Sequence, residues 1–173
     1  MANVNFNSLK DLEKFLMDKI EQAMHGVAKD GENTVKTFIQ SDVYDSYTPE
    51  DYKRTGELKS SVTNSVTKVE TYAVEAKIFH DLNEIRAIAP SLENNRIGQH
   101  HSTVKKYEPQ DYRLYIIETV NYGIDPNKKH IFGDGVYSKA RPYMDNARRS
   151  LRKDARNLMM NEFRSMGIKT YIY

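Results

Sequence analysis

The sequence predicts an α+β fold in which an antiparallel sheet packs against long N-terminal and C-terminal helices, with a long inserted loop. Three patterns point to it. Leu9, Leu12, Leu16, Ile20, Ala23, Val27, Gly31, Val35 and Phe38 recur every three or four residues, the period of one helix face. Leu58, Val62 and Val66, then Tyr72, Val74, Ala76 and Ile78, keep to alternate positions, as on two strands with one buried face each. Met144, Ala147, Leu151, Ala155, Met159, Phe163 and Met166 return to the helical period near the end of the chain.

The first helix is expected to start at Leu9, because Ser8 can cap the free amides of its first turn and Asp11 opposes the positive end of its dipole. Gly26 and Gly31 each cost about 1 kcal/mol relative to Ala inside a helix, which makes them the candidate positions for a break. Unbroken to Tyr44, the helix would span about 54 Å. That exceeds what a compact domain of this size needs, so part of one face is expected to pack on another subunit. The helix pattern gives way to the strand pattern in VYDSYTPEDYKRTGEL, residues 43–58. Tyr44, Tyr47 and Tyr52 bring amphipathic rings, Pro49 disfavours helix at Thr48, and Gly56 permits backbone angles that other residues resist, which together suit a pinned loop.

The first strand is expected to begin at Leu58 and to turn near 69–71 into the second. Residues 81–111 then lose periodicity in a polar segment containing Asn94, Asn95, Gly98, His100 and His101, a candidate partner-binding arm. Helical spacing of Leu114, Ile117 and Val120 predicts a short helix from Gln110 to Asn121, with Gly123 as its stop. Gly133 and Gly135 make a turn, Pro142 suits the first turn of the last helix, and that helix is expected to reach about Ser165 before Gly167 ends it. The closing IKTYIY reads as a strand paired with the hairpin. No internal repeat or linker divides the chain, so residues 1–173 are expected to form a single domain.

A chain of 173 residues can bury about 70% of its unfolded surface. Its 39% hydrophobic content and mean hydropathy of −0.73 describe a folded domain with much polar surface, since 8 Gly and 5 Pro are too few for a low-complexity chain. The absence of cysteine excludes disulfides, thiolate zinc sites and cysteine nucleophiles. A net charge of +2 does not by itself point to nucleic acid or membrane. No apolar run approaches the roughly 20 residues that span a bilayer, and acids stand where a signal peptide would be apolar, so synthesis in the cytosol is expected.

Catalytic patterns are thin, and a non-enzymatic protein without cofactor or metal is expected. Glu75 and Lys77 share one strand face after Pro49-Glu50-Asp51, an arrangement in which a carboxylate could hold magnesium and an ammonium could stabilise a phosphate, as in a small magnesium-dependent nuclease. The same two residues sit on the parity opposite Val74, Ala76 and Ile78, where a solvated pair is the simpler reading. His100, His101, His80 and His130 lack metal-ligand spacing, Gly133-Asp134-Gly135 lacks the Lys-Ser/Thr of a phosphate loop, and no Gly-x-Ser-x-Gly elbow occurs. Arg148, Arg149, Arg152, Lys153 and Arg156 form a basic stretch on the last helix, which could face phosphates or simply solvent.

The order of a long first helix, YKRTGELKSSV, a hairpin, YIIETVNYG, and ARPYMDNA opening the last helix resembles the head–tail joining (neck and tail-completion) family of long-tailed bacteriophages. Arg54, Thr55, Gly56 and Leu58 match that family's Arg-Thr-Gly-x-Leu string. Glu118, Tyr122 and Gly123 match its Glu and Tyr-Gly element, and Ala140, Arg141, Pro142 and Tyr143 match its Ala-Arg-Pro-aromatic element. This chain inserts about thirty residues between hairpin and Tyr-Gly segment, and spaces Glu118 further from Tyr122 than the family does. The resemblance implies a structural virion protein, assembled in the host cytoplasm as a homo-oligomeric ring in the neck, with Tyr52, Arg54, Gly56, Arg141 and Pro142 at subunit or partner interfaces. Its implied partners are a head-closure or adaptor protein, tail-terminator or tail-tube proteins and the genome DNA passing through the lumen, with no membrane. A tail-terminator ring is the alternative within the same structural class.

Overall fold

The computed structural model describes residues 6–48, 55–70, 72–85, 109–123 and 139–171. In chain order they form α1 (Leu9–Phe38), a π-helical turn (Ile39–Tyr44), α2 (Glu57–Ser60), β1 (Val62–Glu70), β2 (Ala73–His80), a 3₁₀ turn (Leu82–Glu84), α3 (Pro109–Tyr122) and α4 (Tyr143–Ser165). The architecture is α+β: in chain order, a two-stranded antiparallel sheet, β1 and β2, follows the long first helix and precedes the last. The chain forms two compact units, one of Met1–Thr34, Thr63–Phe79 and Ala147–Tyr173, the other of Val35–Val62 and His80–Asn146.

In the first unit, α1 starts where its cap predicts. The Ser8 hydroxyl oxygen accepts the Asp11 amide at 3.1 Å and donates to the Asp11 carboxylate at 2.8 Å. The helix runs unbroken through both candidate break positions, Gly26 and Gly31. Both serve close approach: a Cβ on Gly26 would collide with the Glu162 carboxyl, and one on Gly31 with Ile78 Cδ1, with Leu151 Cδ1 3.8 Å away. The two missing side chains thus let α4 and β2 lie against α1. The buried face of α1 comprises Met17, Ala23, Ala28, Gly31 and Glu32. Glu32 is only 6% exposed, and its carboxylate accepts from Lys29 Nζ at 2.9 Å and from Asn64 Nδ2 at 2.5 Å, so the buried charge is paired and hydrogen-bonded.

On β2 the inner parity is Val74, Ala76 and Ile78, with Glu75 and Lys77 exposed, as the alternation predicts. Ala147 and Met160 are buried on α4, whereas Ala155, expected in its stripe, is exposed; Asp154 is half-buried instead and accepts from the Ser150 hydroxyl at 3.3 Å. The closing strand does not form over residues 168–171. Gly167 takes φ 77°, the Ile168 amide bonds back to Phe163 O at 2.9 Å and the Gly167 amide to Arg164 O at 2.9 Å, a Schellman turn that folds the tail back on its own helix. Arg164 Nε then donates to Thr170 Oγ1 at 3.0 Å. Residues 172–173 lie outside the described residues.

The second unit takes in the end of α1 from Val35 and the segment where the helix widens to π geometry, with the Asp45 amide reaching back five residues to Gln40 O at 2.8 Å. Ile39 and Val43 are buried there. Leu58 does not start a strand. Gly56 adopts φ 81°, the amides of Lys59 and Ser60 both bond to Gly56 O at 3.0 Å, and the segment closes into the single turn of α2 before β1 begins at Val62. The residues expected as one loop from 81 to 111 include the Leu82–Glu84 turn and the first turn of α3; residues 86–108, with His100 and His101, lie outside the described residues. On α3, Ile117, Thr119, Val120 and Asn121 are buried, while Leu114 is 49% exposed, so the expected stripe holds only at its end. Gly123, φ 76°, stops α3 as predicted.

Candidate partner interface

Three of the five interface residues expected from the sequence fall on the second unit, and Tyr52 and Arg54 lie outside the described residues. Gly56 is half-buried, and a Cβ built on it meets nothing within 4 Å. Its backbone angle, not crowding, calls for glycine. The turn it launches is tied to the π segment: the Lys59 amide donates to the Tyr44 hydroxyl at 3.3 Å, and Lys59 Nζ to Gln40 Oε1 at 3.1 Å.

Arg141 is 8% exposed. Its amide donates to Val120 O at 2.9 Å, and its guanidinium lies over the Tyr47 ring, 4.4 Å from the centroid. Its charged group therefore pins the junction loop to the segment before α4 and presents little surface outward. Pro142 is half-buried and leads into α4, whose first amides are satisfied partly by a neighbour: Asn121 Oδ1 accepts the Met144 amide at 2.9 Å, a cap lent by α3. Glu118 on α3 is exposed.

Sequence reasoning missed the polar centre of this unit. Tyr143 is fully buried, and its hydroxyl lies 2.9 Å from His80 Nε2, while His80 Nδ1 lies 2.7 Å from Ser61 Oγ. The Ser61 hydroxyl donates to Leu58 O at 3.0 Å, so its oxygen accepts from Nδ1–H, and the neutral ring accepts the Tyr143 proton at Nε2. Burial pushes the His80 pKa down to about 4 and the Tyr143 hydroxyl upward. Ser61 is 0% exposed and its proton is committed to a carbonyl, so this serine–histidine pair has the geometry of a strut, with no access for a substrate. Its one legible signal was parity: His80 extends the inward series Val74, Ala76, Ile78.

Glu75 and Lys77 are exposed and pair with each other at 3.2 Å. Among the described residues no group of three His, Cys, Asp or Glu is placed to hold a metal ion. Pro49, Glu50, Asp51, His130 and Gly133-Asp134-Gly135 lie outside the described residues. Among those described, no helix is long and apolar enough to cross a membrane.

The first unit offers a different surface. Leu9, Leu12, Leu16, Met17 and Ile20 of α1, with Glu13 and Tyr72, line an open groove of about 340 Å³. Leu9 is 85% exposed, Tyr72 69% and Leu16 49%, so much of the stripe that periodicity marked as core faces outward at its N-terminal end. The Glu13 carboxylate beside the Tyr72 hydroxyl raises its pKa, which ties the ring to the groove's rim.

No curated protein and no solved structure matches the chain. The YomN family matches it over residues 8–166, from the cap of α1 to the end of α4. With nearly the whole length matched, the chain belongs to the YomN family, a phage-derived family.

Proposed function

We propose that this chain is a structural virion protein that forms a homo-oligomeric ring in the phage neck, between the DNA-filled head and the tail. Membership of a phage-derived family supports the setting. The observation that carries the ring is the apolar groove of α1, whose Leu9, Leu16 and Tyr72 remain exposed in the single chain. Apolar surface of this kind on a soluble chain marks a protein contact. A second copy is its occupant: in a closed ring each subunit offers two unlike surfaces, and the groove is one of them.

In this reading the protein works without chemistry, as a non-enzymatic component assembled in the host cytoplasm. It meets a head-closure or adaptor protein on one side, tail-terminator or tail-tube proteins on the other, and the genome in its lumen. Sedimentation velocity of the purified chain tests the ring directly. A discrete oligomer is expected, with Leu16→Glu weakening self-association by at least about tenfold, near 1.4 kcal/mol, while the far-ultraviolet circular dichroism stays unchanged. A monomer at high micromolar concentration, or an oligomer indifferent to Leu16→Glu, contradicts it.

A further inference from the structure

We infer that the exposed face of α4 between Arg148 and Arg156 docks the phosphate backbone of duplex DNA. Residues 148–156 hold five cations and one carboxylate, a surplus of four where the entire chain nets +2. The structure places all five cations on one side. At 3.6 residues per turn, Arg148, Arg152, Arg156, Arg149 and Lys153 fall within an arc of about 140° and about 12 Å of helix length. Each is exposed. The carboxylate of the stretch, Asp154, lies off that arc, half-buried with the Ser150 hydroxyl at 3.3 Å. Arg148 and Arg149 have interactions within the protein and add to the local field. Among the described residues no carboxylate forms an ion pair with Arg152, Lys153 or Arg156.

The chemistry of the face selects among polyanions. Four of the five cations are arginines, whose planar guanidinium grips phosphate oxygens in pairs. No aromatic residue stands between 148 and 156, so the stacking platform that single strands need is missing. A helix lying on a lipid surface needs an exposed apolar side; on α4 that side is occupied by Leu151 near Gly31. What remains is sequence-independent contact with a duplex backbone. The inference rests on the connector reading for the presence of a duplex, which a neck lumen passes.

Fluorescence anisotropy of the full chain with a labelled 20-base-pair duplex tests it. Between about 50 and 200 mM salt, log K should fall against log salt with a slope of about −3 to −4.5, the release expected for three to five neutralised phosphates. Unrelated duplex sequences should bind equally. Replacing Arg152, Lys153 and Arg156 together by Glu should lower affinity at least about tenfold and flatten the slope by about 3. The corresponding Gln triple carries the test if charge reversal perturbs folding, and Arg152→Lys with Arg156→Lys should keep the slope. Absence of duplex binding at 50 mM salt, wild-type affinity in the triple variants, or variant-sensitive binding only to anionic vesicles or an acidic peptide overturns the inference. A chain that forms rings yet ignores DNA removes this inference alone, and a monomer that binds DNA through these residues removes the connector reading alone.

Discussion

His80 couples the stability of the second unit to pH. Its ring sits between Ser61 Oγ and the Tyr143 hydroxyl, and burial lowers its pKa to about 4 from an unfolded value near 6.5. Between those values the unfolded chain binds a proton that the folded one refuses, so stability falls as pH drops from about 6.5 to about 4 and levels off below. The loss is of the order of 3 kcal/mol. Denaturant titrations of the wild type across this window should show that decline. His80→Gln should start about 1–3 kcal/mol less stable at pH 7, with the strut broken, and should lack this component of the slope. Equal slopes in the two proteins would refute the assignment. Arg141 makes a similar point about legibility. Its place beside Pro142 at the head of the last helix was readable, but its stack on Tyr47 was not, because the two are 94 positions apart and no local pattern encodes which ring a guanidinium will cover.

At the scale of elements, the helices were readable because their signals are local: a serine cap at Ser8, apolar spacing, and Gly123 and Gly167 as stops. Glycine was the ambiguous letter. By propensity Gly26 and Gly31 were the weak points of a helix that the apolar stripe read as continuous, and each marks a contact with a segment distant in sequence. The two contacts differ, and so should their alanine variants. At Gly26 the obstacle is the movable end of Glu162, so Gly26→Ala should stay within about 1 kcal/mol of wild type, the helix gain offsetting the displaced carboxylate. Gly31 is itself buried, its obstacle is the half-buried Ile78 with Leu151 behind it, and Gly31→Ala should cost about 1–3 kcal/mol. Thermal or chemical unfolding of both variants checks the ordering; a more stable Gly31→Ala protein would contradict it. The misread segments share one cause. Leu58 kept strand parity but entered a helical turn because Gly56 redirected the backbone, and residues 168–171 were turned back by Gly167 before a strand could pair. A single left-handed glycine outweighs several residues of propensity. Asn121 belongs at this scale too: Asn121→Ala removes the acceptor for the Met144 amide and should cost about 1–2 kcal/mol, read from the unfolding midpoint, and an unchanged midpoint would show that the cap is dispensable.

At the scale of the whole molecule, the α+β order was legible from the alternation of periods, 3.6 then 2 then 3.6. The surfaces were less so. Periodicity marks Leu9 and Leu16 as apolar-face residues without saying whether the same chain covers them, and here it leaves them exposed. The basic run of α4 was visible as composition, but only the helix geometry gathers it onto one side, away from Asp154. The first unit thus carries an apolar groove on its first helix and a cationic face on its last, the two surfaces on which the proposed self-association and the proposed DNA contact rest. Quantitative mass spectrometry of purified tailed particles, comparing this protein's copy number with that of the portal, tests the neck assignment most directly. A fixed number equal to the portal's, or a simple fraction of it, is the predicted result, and absence from intact, infectious particles would contradict it.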